Sequence, residues 1–170
     1  MIILGIDPGH ISGTALWDST LPPKSAQVAE IHADEYLSWI LSIGKGEHDW
    51  KPQIIVIENY ILRPEQFQNF SSKWIELPEA KQIGAAHFAA ALLGVKCIEQ
   101  EPAIKAAGYG FAGMKYVPGK RGTHMQDALA HACYLAKKGY DPSKMKNPFA
   151  KPLATKKPAK ATFQVRYPRN

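Results

Sequence analysis

The run Ile54-Ile55-Val56-Ile57 constrains this chain more than any other segment: four consecutive β-branched residues without a polar break, closed by Glu58. Branching at Cβ favours strands. A strand that is apolar on both faces belongs inside a parallel sheet covered by helices on each side. Residues 2–6 form a second apolar run, ended by Asp7-Pro8-Gly9, where proline and glycine force a turn. Residues 14–17 and 28–31 are two further strands, separated by the turn-forming Leu21-Pro22-Pro23-Lys24-Ser25. With the first run they predict an antiparallel three-strand meander.

Helical spacing covers residues 33–43, with Gly44 and Gly46 as the stop, and residues 79–93, between Pro78 and Gly94. A short strand returns at 95–98 and a single helical turn at 102–107. Residues 108–122 hold five glycines and read as a loop, and the last helix runs over 124–138. The order βββ-α-β-α-β-α predicts an α/β fold, a mixed five-stranded sheet flanked by helices. Residues 1–141 form this domain and residues 142–170 a Lys/Pro/Ala-rich tail with little capacity to build a core.

Charge is concentrated at one end. Of a net +6, residues 137–170 carry ten Lys/Arg against one acid, Asp141, so the rest of the chain is slightly acidic. Such a basic end suits a polyanion, because Lys/Arg contacts release the counterions condensed on a phosphate backbone. No apolar run approaches the roughly 18 residues of a membrane span. The two cysteines, Cys97 and Cys133, lack metal-site spacing and are too few for a secreted disulfide scaffold. The expected setting is the cytoplasm.

Two acids stand where solvated acids do not belong. Asp7 and Glu58 each end a buried-type strand, where an unpaired charge costs several kcal/mol. Each needs a cation, either a nearby Lys/Arg or a metal. In the last helix His124 and Asp127 are three apart and share a face near its N-terminus. The four groups can hold two divalent ions, which together activate water and stabilise the leaving oxygen of a phosphodiester. Carboxylates suit Mg2+, and an imidazole makes Mn2+ more welcome. His131, one turn further on, reads as a packed histidine rather than a ligand, and His10, just after the Asp7-Pro8-Gly9 turn, could approach the metals but is not read as one of their ligands.

In order and spacing, Ile3-Leu4-Gly5-Ile6-Asp7-Pro8-Gly9, Gly13, Val56-Ile57-Glu58 and His124-Met125-Gln126-Asp127-Ala128-Leu129-Ala130 resemble the RuvC family of Holliday-junction resolvases. Lys81-Gln82-Ile83-Gly84-Ala85-Ala86 resembles part of that family's dimer-forming helix, and Glu101-Pro102-Ala103-Ile104-Lys105 its Pro-x-x-Lys segment, whose lysine lies near DNA. The resemblance implies an RNase H-like fold, a homodimer, and Mg2+-dependent paired incision of four-way DNA junctions, with Asp7, Glu58, His124 and Asp127 as the metal-binding tetrad. It implies phosphate contacts from Lys105. The family usually has a further helix before the catalytic one, carrying a second DNA-contacting lysine. Here that stretch is short and Gly-rich, with Lys115, Lys120 and Arg121 as substitutes. The compact form is closer to a bacteriophage branch.

Tyr60, Phe67 and Phe70 follow Glu58 and either stack on unpaired junction bases or pack in the core. The apolar face of 79–93, with Ile83, Ala86, Phe88, Ala90 and Leu93, divides between core and dimer seam. Three other functions fit less of the sequence: a nuclease of the same fold acting on flaps, forks or RNA–DNA hybrids, a junction-binding protein that does not cut, and an actin-like ATPase, which needs about twice this length. The nuclease reading requires the four site residues to meet in one pocket. Scattered side chains, or acids already neutralised by lysine or arginine, would end the nuclease case.

Overall fold

The structure, a computed structural model, describes residues 1–60, 77–117 and 123–139. The expected tail, as well as Phe67, Phe70, Lys120 and Arg121, lies outside the described residues. Within the compact unit Met1–Gly139, five strands form one sheet in the order β3-β2-β1-β4-β5. They are β1 (Ile2–Asp7), β2 (Ile11–Asp18), β3 (Gln27–His32), β4 (Ile54–Glu58) and β5 (Lys96–Gln100). β2 pairs antiparallel with both β1 and β3, which is the expected meander. β4 lies parallel to β1 on one side and to β5 on the other, as its unbroken apolar run predicts.

Strand periodicity divides the sheet into two working faces. Leu4 and Ile6 of β1 and Ile55 and Ile57 of β4 enter one core with α1 (Ala33–Gly44) and α2 (Pro78–Leu93). Tyr36, Ile40 and Ile43 come from α1, and Ala86, Ala89 and Ala90 from α2. On α2, Ala86 and Ala90 are buried, Ile83 and Leu93 pack beside them, and Phe88 is exposed with Leu92.

The alternate residues, Ile3, Gly5 and Asp7 of β1 and Ile54, Val56 and Glu58 of β4, face the opposite way. In that register Asp7 and Glu58 end neighbouring parallel strands in one row, and Gln100 of β5, paired with Glu58, extends the row. The helix over that face is α4 (His124–Lys138), capped by a reciprocal Thr123–Gln126 box that satisfies its first backbone donors. Ala128, Ala130 and Ala132 are fully buried in the interface.

Besides Gly5, two glycines let backbone meet backbone against α4. Gly13 sits opposite Asp7 on β2, and a Cβ there would come within 1.9 Å of the His124 carbonyl oxygen. Gly13→Val should therefore dislodge the first turn of α4 and cost about 3 kcal/mol or more, since neither backbone can yield. Gly110→Ala, at a helical position with no atom within 4 Å, should instead stabilise by about 0.5–1 kcal/mol. Urea midpoints of the two variants check both signs.

The second glycine corrects the sequence reading. The segment expected to be one turn followed by a loop holds a 3-10 turn, Pro102–Ile104, and a helix, α3 (Lys105–Phe111). Glycine weighs against helix in propensity, but Gly108 is where α3 crosses α4. A Cβ would lie 2.3 Å from the Ala130 carbonyl oxygen, so the close crossing requires glycine, and burial of Tyr109 holds the helix in place. A short helix thus occupies the start of the segment read from the sequence as a loop. Among the described residues, no helix is long and apolar enough to cross a membrane.

Candidate active site

Strand ends and the first turns of α3 and α4 converge on one cluster. Asp7, at 4% exposure, and Glu58 come up from the sheet, His124 and Asp127 come down from α4, and Lys105 enters from the start of α3. The Lys105 ammonium sits 3.1 Å from Asp7 Oδ1, 2.6 Å from Glu58 Oε2 and 2.8 Å from Asp127 Oδ2. His124 Nδ1 lies 2.6 Å from Asp7 Oδ2. All four expected site residues are therefore within one connected network. Lys105 belongs to it too, with its amine turned onto the carboxylates rather than outward as a phosphate contact. Lys115 lies on the surface.

Further side chains, unassigned in the sequence reading, hold the acids. The Tyr109 hydroxyl donates to Asp127 Oδ1 at 2.6 Å. His131, fully buried, reaches Glu58 Oε2 at 2.9 Å through Nε2 and Gln100 Oε1 at 2.8 Å through Nδ1. A carboxylate only accepts, so Nε2–H donates to Glu58. His131 is packed, as expected, but it also fixes a site carboxylate. The signal was its position four residues after Asp127, on the same helix face. The Gln82 side chain clamps the turn after Asp7, accepting from Gly9 N at 2.8 Å and donating to Gly9 O at 2.9 Å. His10 does not join the cluster; its Nε2 faces His32 Nε2.

The electrostatics are those of too many acids for one base. Burial, then the hydrogen bond shared with Glu58, pushes the Asp7 carboxyl up to about 7, against the pull of Lys105. Burial raises Glu58 as well, but His131, Asp7 and Lys105 outweigh it and hold Glu58 down at about 2. The pair titrates as a unit. Burial disfavours the Lys105 ammonium, yet Asp7, Asp127 and Glu58 carry it above the ordinary lysine value. Burial and the bond to Asp127 hold the Tyr109 phenol above its usual range.

Among the described residues, no group of three or more His, Cys, Asp or Glu side chains is spaced to hold a metal ion as it stands. What the acids surround is an ammonium. Lys105 marks a cation position shared by carboxylates from two strands and a helix, and one positive charge leaves two of the three carboxylates unmatched. Hard oxygen donors with an adjacent imidazole fit Mg2+ or Mn2+ by type. Entry of such an ion requires Lys105 to leave the position. Lys105 thus offsets part of the acids' charge.

No family model matches the sequence, and neither does any curated protein sequence. Similarity appears in the fold. RuvC from Thermus thermophilus in complex with a Holliday junction substrate is 21% identical, with a TM-score of 0.53 over 82% of this chain and 96% of that one. A second structure of Thermus thermophilus RuvC is 20% identical, with a TM-score of 0.52 over 82% and 97%. The fowlpox virus Holliday junction resolvase is 20% identical, with a TM-score of 0.41 over 81% and 97%. The order of strands, the helices on both faces and the shared span of nearly the whole RuvC chain give this protein the RuvC fold that its sequence motifs predict.

Proposed function

We propose that this protein is a divalent-metal-dependent endonuclease that resolves four-way DNA junctions by paired phosphodiester hydrolysis. The observation that carries the reading is the meeting of Asp7, Glu58 and Asp127 about one cation position at the edge of a RuvC-type sheet. Asp7, Glu58, Asp127 and His124 are the residues that would hold the ions. When bound, a pair of Mg2+ or Mn2+ ions supplies an activated water and charge stabilisation for the departing 3′-oxygen. His131 and Gln100 keep the Glu58 carboxylate in register, Tyr109 does so for Asp127, and Gln82 fixes the turn that follows Asp7. Lys105, once released from the acids, would be free to contact a phosphate. No Ser or Cys is needed as a nucleophile.

Lys115, Lys120 and Arg121 add phosphate contacts, and the basic tail adds sequence-independent affinity. Deleting residues 143–170 should weaken junction binding and flatten the slope of log affinity against log salt. Fluorescence anisotropy across a salt series measures both, and an unchanged slope would assign the tail another task. A second copy completes the enzyme: Leu37, Phe88 and Leu92 are each more than half exposed on the α1–α2 side. Covering them in a two-fold dimer presents two sites to opposite strands.

One observation favours a second reading, a junction-binding protein that does not cut: Lys105 already sits where a metal is wanted. Incubating the protein with a synthetic four-way junction, a fork and a plain duplex, each with Mg2+ or Mn2+, separates the possibilities. Paired nicks in the junction support resolution. Cutting confined to forks keeps the chemistry and changes the substrate, and binding without incision supports the second reading.

A further inference from the structure

Outside the acid cluster, two imidazoles meet on a rigid part of the fold. His10 ends the turn before β2, and His32 ends β3 beside it, where Ile11 and His32 are cross-strand partners. Ala33 N donates to His10 O at 2.9 Å, pinning the corner where β3 passes into α1. On this frame the two imidazoles meet edge to face, with centroids 4.5 Å apart and ring planes at 76°. Their Nε2 atoms lie 3.2 Å from each other. Both residues are exposed.

We infer that His10 and His32 form a two-histidine site for a borderline transition-metal dication of the Zn2+, Cu2+ or Ni2+ class, separate from the acid cluster. Three observations support it. The first is spacing: two imidazole nitrogens on one tetrahedral ion, each at about 2.0–2.1 Å, sit about 3.3 Å apart, close to the 3.2 Å found here. The second is the outer partner. Asp34 Oδ2 is 3.2 Å from His32 Nδ1, the carboxylate–histidine arrangement that keeps the proton on Nδ1 and leaves Nε2 free to ligate. The same nitrogen also lies 3.4 Å from Asp34 N, as the cap of α1. A metal on Nε2 decides between these roles, because Nδ1 must then donate to the carboxylate. With a metal on its Nε2, His10 would carry its ring proton on Nδ1.

The third is the local field. Glu30 shares the strand face of His32, and Asp34 and Glu35 open α1, while Lys81 lines the cleft of about 450 Å3 beside His10 and Asp34. The surroundings favour a cation, and the cleft leaves room for water. Among the described residues no third His, Cys, Asp or Glu completes the set, so solvent fills the remaining positions. Imidazole donors select this class over Mg2+, which prefers oxygen. The site therefore does not compete with the acid cluster for the same ion.

The test is equilibrium dialysis of the full chain against Zn2+ with Mg2+ in excess, paired with Cu2+ electron paramagnetic resonance. One equivalent of Zn2+ should bind, and Cu2+ should display two equatorial nitrogens. His10→Ala and His32→Ala should each weaken Zn2+ by about tenfold or more and reduce the Cu2+ signal to one nitrogen. Asp34→Asn should cost about tenfold, and Asp7→Asn should leave Zn2+ binding intact. Far-ultraviolet circular dichroism certifies folding of the variants: His10→Ala should melt unchanged, and His32→Ala, which also removes the α1 cap, slightly lower. Absence of Zn2+ binding, retention of full affinity in both alanine variants, or loss only in Asp7→Asn would each overturn the assignment. None of these outcomes bears on junction cleavage.

Discussion

Asp7→Asn should abolish junction cleavage while leaving junction binding intact, and it should make the metal-free protein more stable. The first effect follows from removing a carboxylate at the centre of the cluster. A loss of about three orders of magnitude or more in rate, on the order of 4 kcal/mol of barrier, is expected when a metal ligand goes. The second follows from the shortage of positive charge. Asp7 titrates near 7 in the folded chain but near 3.9 when unfolded, so the folded state holds a proton that the unfolded state has lost between these values. Stability from this group therefore declines as pH rises from about 4 to about 7.

The asparagine variant has no such decline. Its advantage over the wild type in thermal melts with chelator should grow across that window and level off above it, at about 1–3 kcal/mol. Glu58 behaves oppositely: its pKa is depressed to about 2, so its contribution is present above about 4.3 and fades as pH falls towards 2. Added Mg2+ should stabilise the wild type and not the variant. Equal stabilisation of both would remove Asp7 from the metal site.

Replacement of His131 carries the next largest effect. His131→Leu keeps the volume but leaves Glu58 and Gln100 without their shared partner in a buried interface, at a cost of about 2–4 kcal/mol. A merely structural histidine would do no more than that. Since His131 orients a carboxylate of the cluster, the Mg2+ concentration for half-maximal cleavage should also rise about 10- to 100-fold. His131→Gln retains an amide donor towards Glu58 and should recover most of the metal response even if stability stays low. A stability loss with no shift in Mg2+ requirement would reduce His131 to packing.

The parts of this molecule that were legible in the sequence are those where one physical cause dominates. The apolar run of β4 has no stable home except between two parallel neighbours, and that is its place. Asp7 and Glu58 stood out because each ends such a strand, and strand periodicity alone puts them in one row. α4 carries its own start signal in the Thr123–Gln126 box and its stop at Gly139. α3 was not legible, because glycine content speaks of loops locally, while the reason for Gly108 is an approach to Ala130 made only in the folded chain. Lys105 was read towards DNA, and nothing in its neighbours says that its amine reaches acids 98 and 22 residues away in sequence. Tyr109 and Gln100 were silent for the same reason. Their partners lie on other elements, and no spacing rule links them.

Anomalous diffraction from crystals soaked in Mn2+ addresses the acid cluster most directly. The expected result is metal density bounded by Asp7, Glu58 and Asp127, with the Lys105 amine withdrawn from the position it holds between them. Crystals that take up no Mn2+ there, with Lys105 still bridging the three carboxylates, would contradict the metal-dependent reading and leave a RuvC-type fold without a nuclease centre.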